Sequence, residues 1–209
     1  MIIAIDGPAA AGKGTLAERL ARHYRLPYLD TGLLYRAVGR EMTEQGLDPD
    51  DDAAAGRIAA ALDPIRLSDP TLRGREAGEL ASRVGVHAEV RSALLQFQRD
   101  FAAQPGGAVL DGRDIGTAIC PRADVKLYVT ASPEVRARRR TDELVAKGRS
   151  VRYRTILSEI KERDARDAGR RTAPLAQAPD AHLLDTSTMS ADQVFAAAVA
   201  IIDRARAPD

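Results

Sequence analysis

Cysteine occurs once in this 209-residue chain, as Cys120, so no disulfide can form within it. Beside Pro121, that cysteine reads as a small buried hydrophobe rather than a reactive thiol. No Cys/His cluster suggests zinc. The histidines, His23, His87 and His182, have no partner pattern and are expected at surface or edge positions. No apolar run approaches the roughly 20 residues that a membrane span needs. The chain opens as a strand, without a basic leader or small-residue cleavage site, which leads us to expect a cytoplasmic location. Charge of one sign is also lacking. The net value is +1, so general affinity for nucleic acid or an anionic membrane is not implied. Internal repeats and low-complexity segments are absent. An apolar fraction of 44% is enough for the packed core of one ordinary domain.

What is present begins at the first residues. Met1–Ile5 is apolar, and Gly7-Pro8-Ala9-Ala10-Ala11-Gly12-Lys13-Gly14-Thr15 follows. This is a Gly-x4-Gly-Lys phosphate loop at the end of a first strand, with an amphipathic helix behind it. The glycines let the backbone curl so that several N–H groups face one anion. Lys13 can bridge outer phosphates, and the helix turns its positive end toward them. The bland alternative is an ordinary strand–turn–helix joint.

Five short apolar runs read as buried parallel strands: 2–6, 27–30, 108–111, 125–130 and 182–185. Alternation with helical patterns predicts an α/β fold, a five-stranded parallel sheet with helices on both faces. Several runs end in Asp, at the strand edge where such folds bind ligands. The core is expected from 1–32, 105–132 and 173–209. Residues 33–104 read as a mostly helical inserted lobe, broken at Asp63-Pro64 and Ser68-Asp69-Pro70. Residues 133–172 read as two helices around Lys147-Gly148-Arg149, in the manner of a mobile lid. A solvated surface hairpin is the other reading. Residues 136–171 hold eleven arginines and two lysines, and arginine suits bidentate grip on phosphate. After Ser190 an amphipathic helix is expected, fraying at Pro208.

A phosphate loop alone serves GTPases, ATPases and small-molecule kinases. Here the hydroxyl usually met by magnesium is displaced by one residue, to Thr15. The chain has no Asn-Lys-x-Asp segment, which disfavours a guanine-specific switch. Thr31, Tyr35 and Arg36 stand at the head of the helix after the second strand, a good place for a second phosphate. Arg163, Asp167 and Arg170 share one helix face. By spacing alone they would be a solvated salt-bridge ladder worth tenths of a kcal/mol per pair. Arg113-Asp114 after the third strand offers donor and acceptor together, or else a local ion pair.

These strings resemble the bacterial cytidylate kinases, members of the nucleoside monophosphate kinase family. Ile5-Asp6-Gly7-Pro8 with Gly-Lys-Gly-Thr, Leu29–Gly32 with Tyr35-Arg36, Asp111–Thr117, Glu159–Asp164 with Asp167 and Arg170, and Pro174-Leu175 carry the likeness. The resemblance implies Mg2+-dependent transfer of the γ-phosphoryl of ATP to CMP or dCMP. It implies that Asp114, Ser82 and Arg91 read the base, and that Arg36, Arg113 and Arg170 hold the monophosphate. Arg163 and Asp167 would meet the sugar. Arg136 and Arg140 match positions that pack adenine and grip the transferring phosphate. Lys13, Arg113, Arg140 and Arg170 would lower the barrier, and Asp111, through water, with Thr15 would order the magnesium shell. No general base is needed, because the acceptor oxygen is already ionised.

The chain departs from that pattern between Ile65 and Gly74, where it lacks a strand-rich insertion, which leaves UMP rejection open. Rival readings are a kinase for UMP or another small acceptor, and a slow nucleotide-binding switch. A monomer is expected.

Overall fold

The computed structural model describes residues 1–206, so the expectation at Pro208 falls outside the described residues. Its centre is a sheet of five strands: β1 Ile2–Asp6, β2 Tyr28–Asp30, β3 Ala108–Gly112, β4 Val125–Thr130 and β5 His182–Asp185. All pairs are parallel, in the order β2-β3-β1-β4-β5. The expected strands are all present. β2 begins one residue later than expected because Pro27 has no N–H to give; its carbonyl accepts from Val109 N at 2.9 Å. β3 runs one residue further, since Gly112 still pairs with Asp6.

Alternation along the strands feeds two cores. Ile3 and Ile5 pack with Val109, Leu127 and Val129 against α1 (Lys13–Tyr24) and α8 (Ala191–Arg206). Ala4, Leu29 and Leu110 face the other way, toward α5 (Ala88–Ala102) and the turn at Ile115–Ile119. Leu20 of α1 is wholly buried, a position where truncation to alanine costs about 2–5 kcal/mol.

Between β2 and β3 lie α2 (Gly32–Glu44), α3 (Asp52–Ala60), α4 (Arg75–Val84) and α5. They close on their own cluster, which includes Val38, Met42, Val84 and Leu94. The breaks read from the sequence are 3-10 turns at Pro64–Ser68 and Pro70–Arg73. Each begins on proline, whose fixed φ suits a first helical position, and each is capped by an aspartate. Asp63 Oδ1 accepts from Ile65 N at 2.9 Å and Asp69 Oδ1 from Thr71 N at 2.8 Å. Between β4 and β5 run α6 (Pro133–Ala146) and α7 (Tyr153–Ala168), joined through Gly148 at φ 72°. They share a small core of Ala137, Leu144, Ile156 and Ile160. His23 and His182 are exposed, whereas His87 is half-buried with Nε2 2.9 Å from Pro49 O.

Candidate active site

The phosphate loop leaves β1 through Gly7 at φ 145°, where a Cβ would lie 1.9 Å from Val129 O. Only glycine fits there. Gly12, at φ 91°, ends the loop and opens α1; among the described residues no side chain caps that helix start. Its first N–H groups therefore remain available to an anion. Lys13 is buried at 6% exposure and donates to Pro8 O at 2.9 Å. Burial, then Arg113, lowers its pKa, against the pull of Asp111. A buried cation held on a lone carbonyl is poised for a stronger anionic partner.

Lys13 opens into a cleft of about 1480 Å³ between the strand ends, the inserted helices and α6–α7. That exceeds the roughly 300–1,000 Å³ of a site for one drug-sized ligand. Ala9, Ala10 and Gly14 line it beside Lys13, as do Asp30 and Asp111. Tyr28 donates to Asp111 Oδ1 at 2.9 Å, and burial followed by the charge of Asp30 raises the Asp111 pKa.

Asp167 does not itself line the cleft and is almost wholly buried, at 1% exposure. It draws in three arginines. Arg113 Nε donates at 2.8 Å, Arg170 Nη2 donates to the other oxygen, and Arg163 Nε lies 3.9 Å away. Burial raises the Asp167 pKa, and Arg113, Arg170 and Arg163 more than reverse that, leaving it below the usual carboxylate range. Among the described residues the Nε atoms of Arg163 and Arg170 are buried without partners. One carboxylate thus holds more positive charge than it neutralises, and all three arginines line the cleft. Such an arrangement can take up a second anion.

Arg113 and Asp114 do not pair with each other. Asp114 instead meets Arg91 of α5 in a buried ion pair, and Arg91 lies over the Tyr35 ring at 5.7 Å. The two neighbours leave the strand toward different partners, so the acceptor–donor couple is Asp114 with Arg91. Tyr35, Arg91 and Asp114 line the cleft together. Ser82 is fully buried and does not line the cleft; its Oγ accepts from Arg166 Nε at 3.3 Å.

Other expected residues are more tied down. Thr31 Oγ1 donates to Asp111 O at 2.8 Å, fastening α2 to β3. Arg36 lines the cleft while Nη1 donates to Leu72 O at 2.7 Å. Arg140 lines it with Nη1 on Glu143. Arg136 is not brought in: its guanidinium is buried and spent on Asp164, Ala9 O and Ala131 O. It pins the loop to α6 and α7. Gly7, Pro8, Ala11 and Gly12 frame the loop rather than line the cleft, and Thr15 is exposed on the first turn of α1.

Sequence reasoning missed Asp30 and Arg166, which line the cleft. Asp30 stood inside a quoted string. Arg166 gave no signal, because its partners Glu79 and Ser82 are 87 and 84 positions away.

A phosphate loop facing an arginine-lined cleft with room for two nucleotides defines the chain as a P-loop kinase. Its sheet recurs in the crystal structure of an uncharacterized protein from Eubacterium ventriosum, at TM-score 0.57 and 18% identity, over 97% of this chain and 98% of that one. That likeness concerns the fold alone. The cytidylate kinase family profile matches residues 3–204. Cytidylate kinase of Xanthobacter autotrophicus is 59% identical over 99% of both chains. That of Rhodopseudomonas palustris is 56% identical over 99% of this chain and 98% of its own. The chain belongs to the cytidylate kinase family.

Proposed function

We propose that the protein transfers the γ-phosphoryl group of ATP to the 5′-phosphate of CMP or dCMP, giving CDP or dCDP and ADP. The observation that carries this reading is the arginine cluster on Asp167, facing Lys13 across one cleft beside the Asp114–Arg91 couple. A monophosphate on Arg36, Arg113 and Arg170 would lie in line with a triphosphate on the loop. The CMP phosphate oxygen attacks the γ-phosphorus, the bond to the β-phosphate oxygen breaks, and ADP leaves. Positioning and positive charge supply the acceleration. Lys13 and Arg140 would hold the donor side of the moving group. Asp114 would accept from the cytosine amino group while Arg91 donates. Arg163 would face the sugar, while Asp167, buried behind the cleft surface, would hold the arginines in place.

Magnesium fits this site. Asp30 and Asp111 face the cleft near Lys13; burial and then the charge of Asp30 disfavour the ionised Asp111, and a cation there would offset both. Among the described residues no group of three or more His, Cys, Asp and Glu side chains is placed to hold a metal alone. Asp111 would act through water, with phosphate oxygens as the main ligands. Asp111 lines the cleft and Thr15 does not. When bound, the ion supplies positive charge across the outer phosphates.

Helices α6 and α7 form the lid in this reading and residues 33–104 the acceptor lobe. Arg166–Glu79 and Arg75–Glu159 join α7 to α4. We further infer a monomer in the cytoplasm that does not bind nucleic acid. The net charge of +1 supports this, as does the scatter of exposed Ile65, Val86, Val145 and Leu183 over separate segments. Among the described residues no helix is long and apolar enough to cross a membrane.

ADP release from ATP and magnesium, with and without CMP, tests the reading. A kinase is nearly silent until CMP is added. Equal release in both samples would favour a slow nucleotide-hydrolysing switch.

A further inference from the structure

Asp6 has no part in the reaction above, yet it is among the most committed side chains in the protein. It ends β1, one residue before the phosphate loop, and is 4% exposed. Its Oδ1 accepts from Ile115 N and its Oδ2 from Gly116 N, both at 2.7 Å. These amides open the helical turn Ile115–Ile119 that follows Asp114. The first N–H groups of a helical turn have no partners within it. Two consecutive ones call for two acceptors on one side chain, which a carboxylate supplies. From the other side, the Asp114 carbonyl accepts from Ala118 N at 2.8 Å and Ile119 N at 3.1 Å. Asp114 is thus held between its own turn and a carboxylate 108 positions earlier in the chain.

Burying that carboxylate has a cost, visible in a pKa raised to about 6 by burial and only partly offset by the two amides. A mere stitch between β1 and β3 is already supplied by their paired strands, whose register runs through Asp6 and Gly112. What Asp6 adds is a fixed distance between the start of the donor loop and the residue beside Arg91.

We propose that Asp6 is a positioning residue for selection of the acceptor base. By clamping Ile115 and Gly116 it sets the Asp114 carboxylate where it accepts from a cytosine amino group and repels the carbonyl oxygen that uracil has there. The inference rests on the reading of Asp114 as the group that meets the base.

The test is steady-state kinetics of the full chain with ATP, CMP and UMP, on Asp6→Asn and Gly116→Ala. Asparagine keeps the volume but turns an NH2 against one of the two amides. At Gly116 a Cβ would lie 3.3 Å from Asp6 Oδ2 and 3.1 Å from Lys126 Cδ. Gly116→Ala thus crowds the same contact while leaving the sequence of β1 and the loop unchanged, and it decides the matter alone if Asp6→Asn does not fold. Losing one hydrogen bond to a charged group predicts a KM for CMP raised about tenfold. The KM for ATP should stay within about twofold, and the preference for CMP over UMP should fall about fivefold or more. Equal rises in both KM values, or an unchanged preference in a folded variant, would overturn the inference. Asp114→Ala in the same assay separates the two claims. If it leaves the preference intact, the base-reading role itself fails. If it destroys the preference while Asp6→Asn and Gly116→Ala keep it, only the positioning role of Asp6 fails.

Discussion

Replacing Asp167 with asparagine tests whether the arginine wall is a real electrostatic unit. Asparagine fills the same space and can still accept from Arg113, but its NH2 faces the donors of Arg170. The charge that gathers Arg113, Arg163 and Arg170 is lost inside a nearly closed site. Removing one partner of a buried ion pair costs about 3–5 kcal/mol, and the retained hydrogen bond puts this case near 3. For a chain of this length each kcal/mol moves the melting point by about 2–4 °C, so a fall of about 6–12 °C is expected. The pH dependence has a definite sign. The Asp167 pKa is held below its unfolded value, so its stabilisation is complete above that value and is lost as pH falls through the folded one. The gap between wild type and variant should be flat from about pH 8 to 5 and close only below about 4. Thermal unfolding without nucleotide, followed by circular dichroism, reads all of this. A melting point within about 2 °C of wild type would mean that solvent, not Asp167, holds the arginines.

Lys13→Ala should abolish phosphoryl transfer while the melting profile stays cooperative; normal turnover would remove the loop from the mechanism. Lys13 has a lowered pKa in the empty protein, and a triphosphate beside it would raise it again. ATP binding at pH 8 should therefore take up protons, seen as a calorimetric heat that varies with buffer ionisation enthalpy, and Lys13→Ala should abolish the effect. Gly7→Ala must displace the loop, since its Cβ would sit 1.9 Å from Val129 O. It should weaken ATP binding about a hundredfold or more and leave CMP binding largely intact; parallel titrations would contradict this if ATP bound normally.

The sheet was legible because buried parallel strands carry apolar residues on both faces, as Ile3, Ala4 and Ile5 do, and stop at polar strand ends. The loop was legible because its residues are consecutive. Partners were not. Arg113 and Asp114 adjoin in sequence and invite pairing, yet Arg113 reaches Asp167 and Asp114 reaches Arg91, across 54 and 23 positions. Spacing marked Arg163, Asp167 and Arg170 as one helix face, but α7 ends at Ala168 and Arg170 follows it, and spacing could not reveal that Asp167 is buried. Arg136 carried the same sequence signature as Arg140, and only packing against Asp164 and Ala9 separates them. Asp6 was visible as a strand end, while its hold on Ile115 and Gly116 depends on how β1 and β3 align.

The central claim is that this cleft phosphorylates cytosine monophosphates. A coupled assay of ADP formation with ATP and magnesium, run in parallel against CMP, dCMP, UMP, AMP and GMP, tests it most directly. The account predicts strong turnover with CMP and dCMP and little with the other acceptors. Turnover with UMP equal to that with CMP would contradict the role of Asp114 and Arg91, and silence with all five would contradict the kinase reading itself.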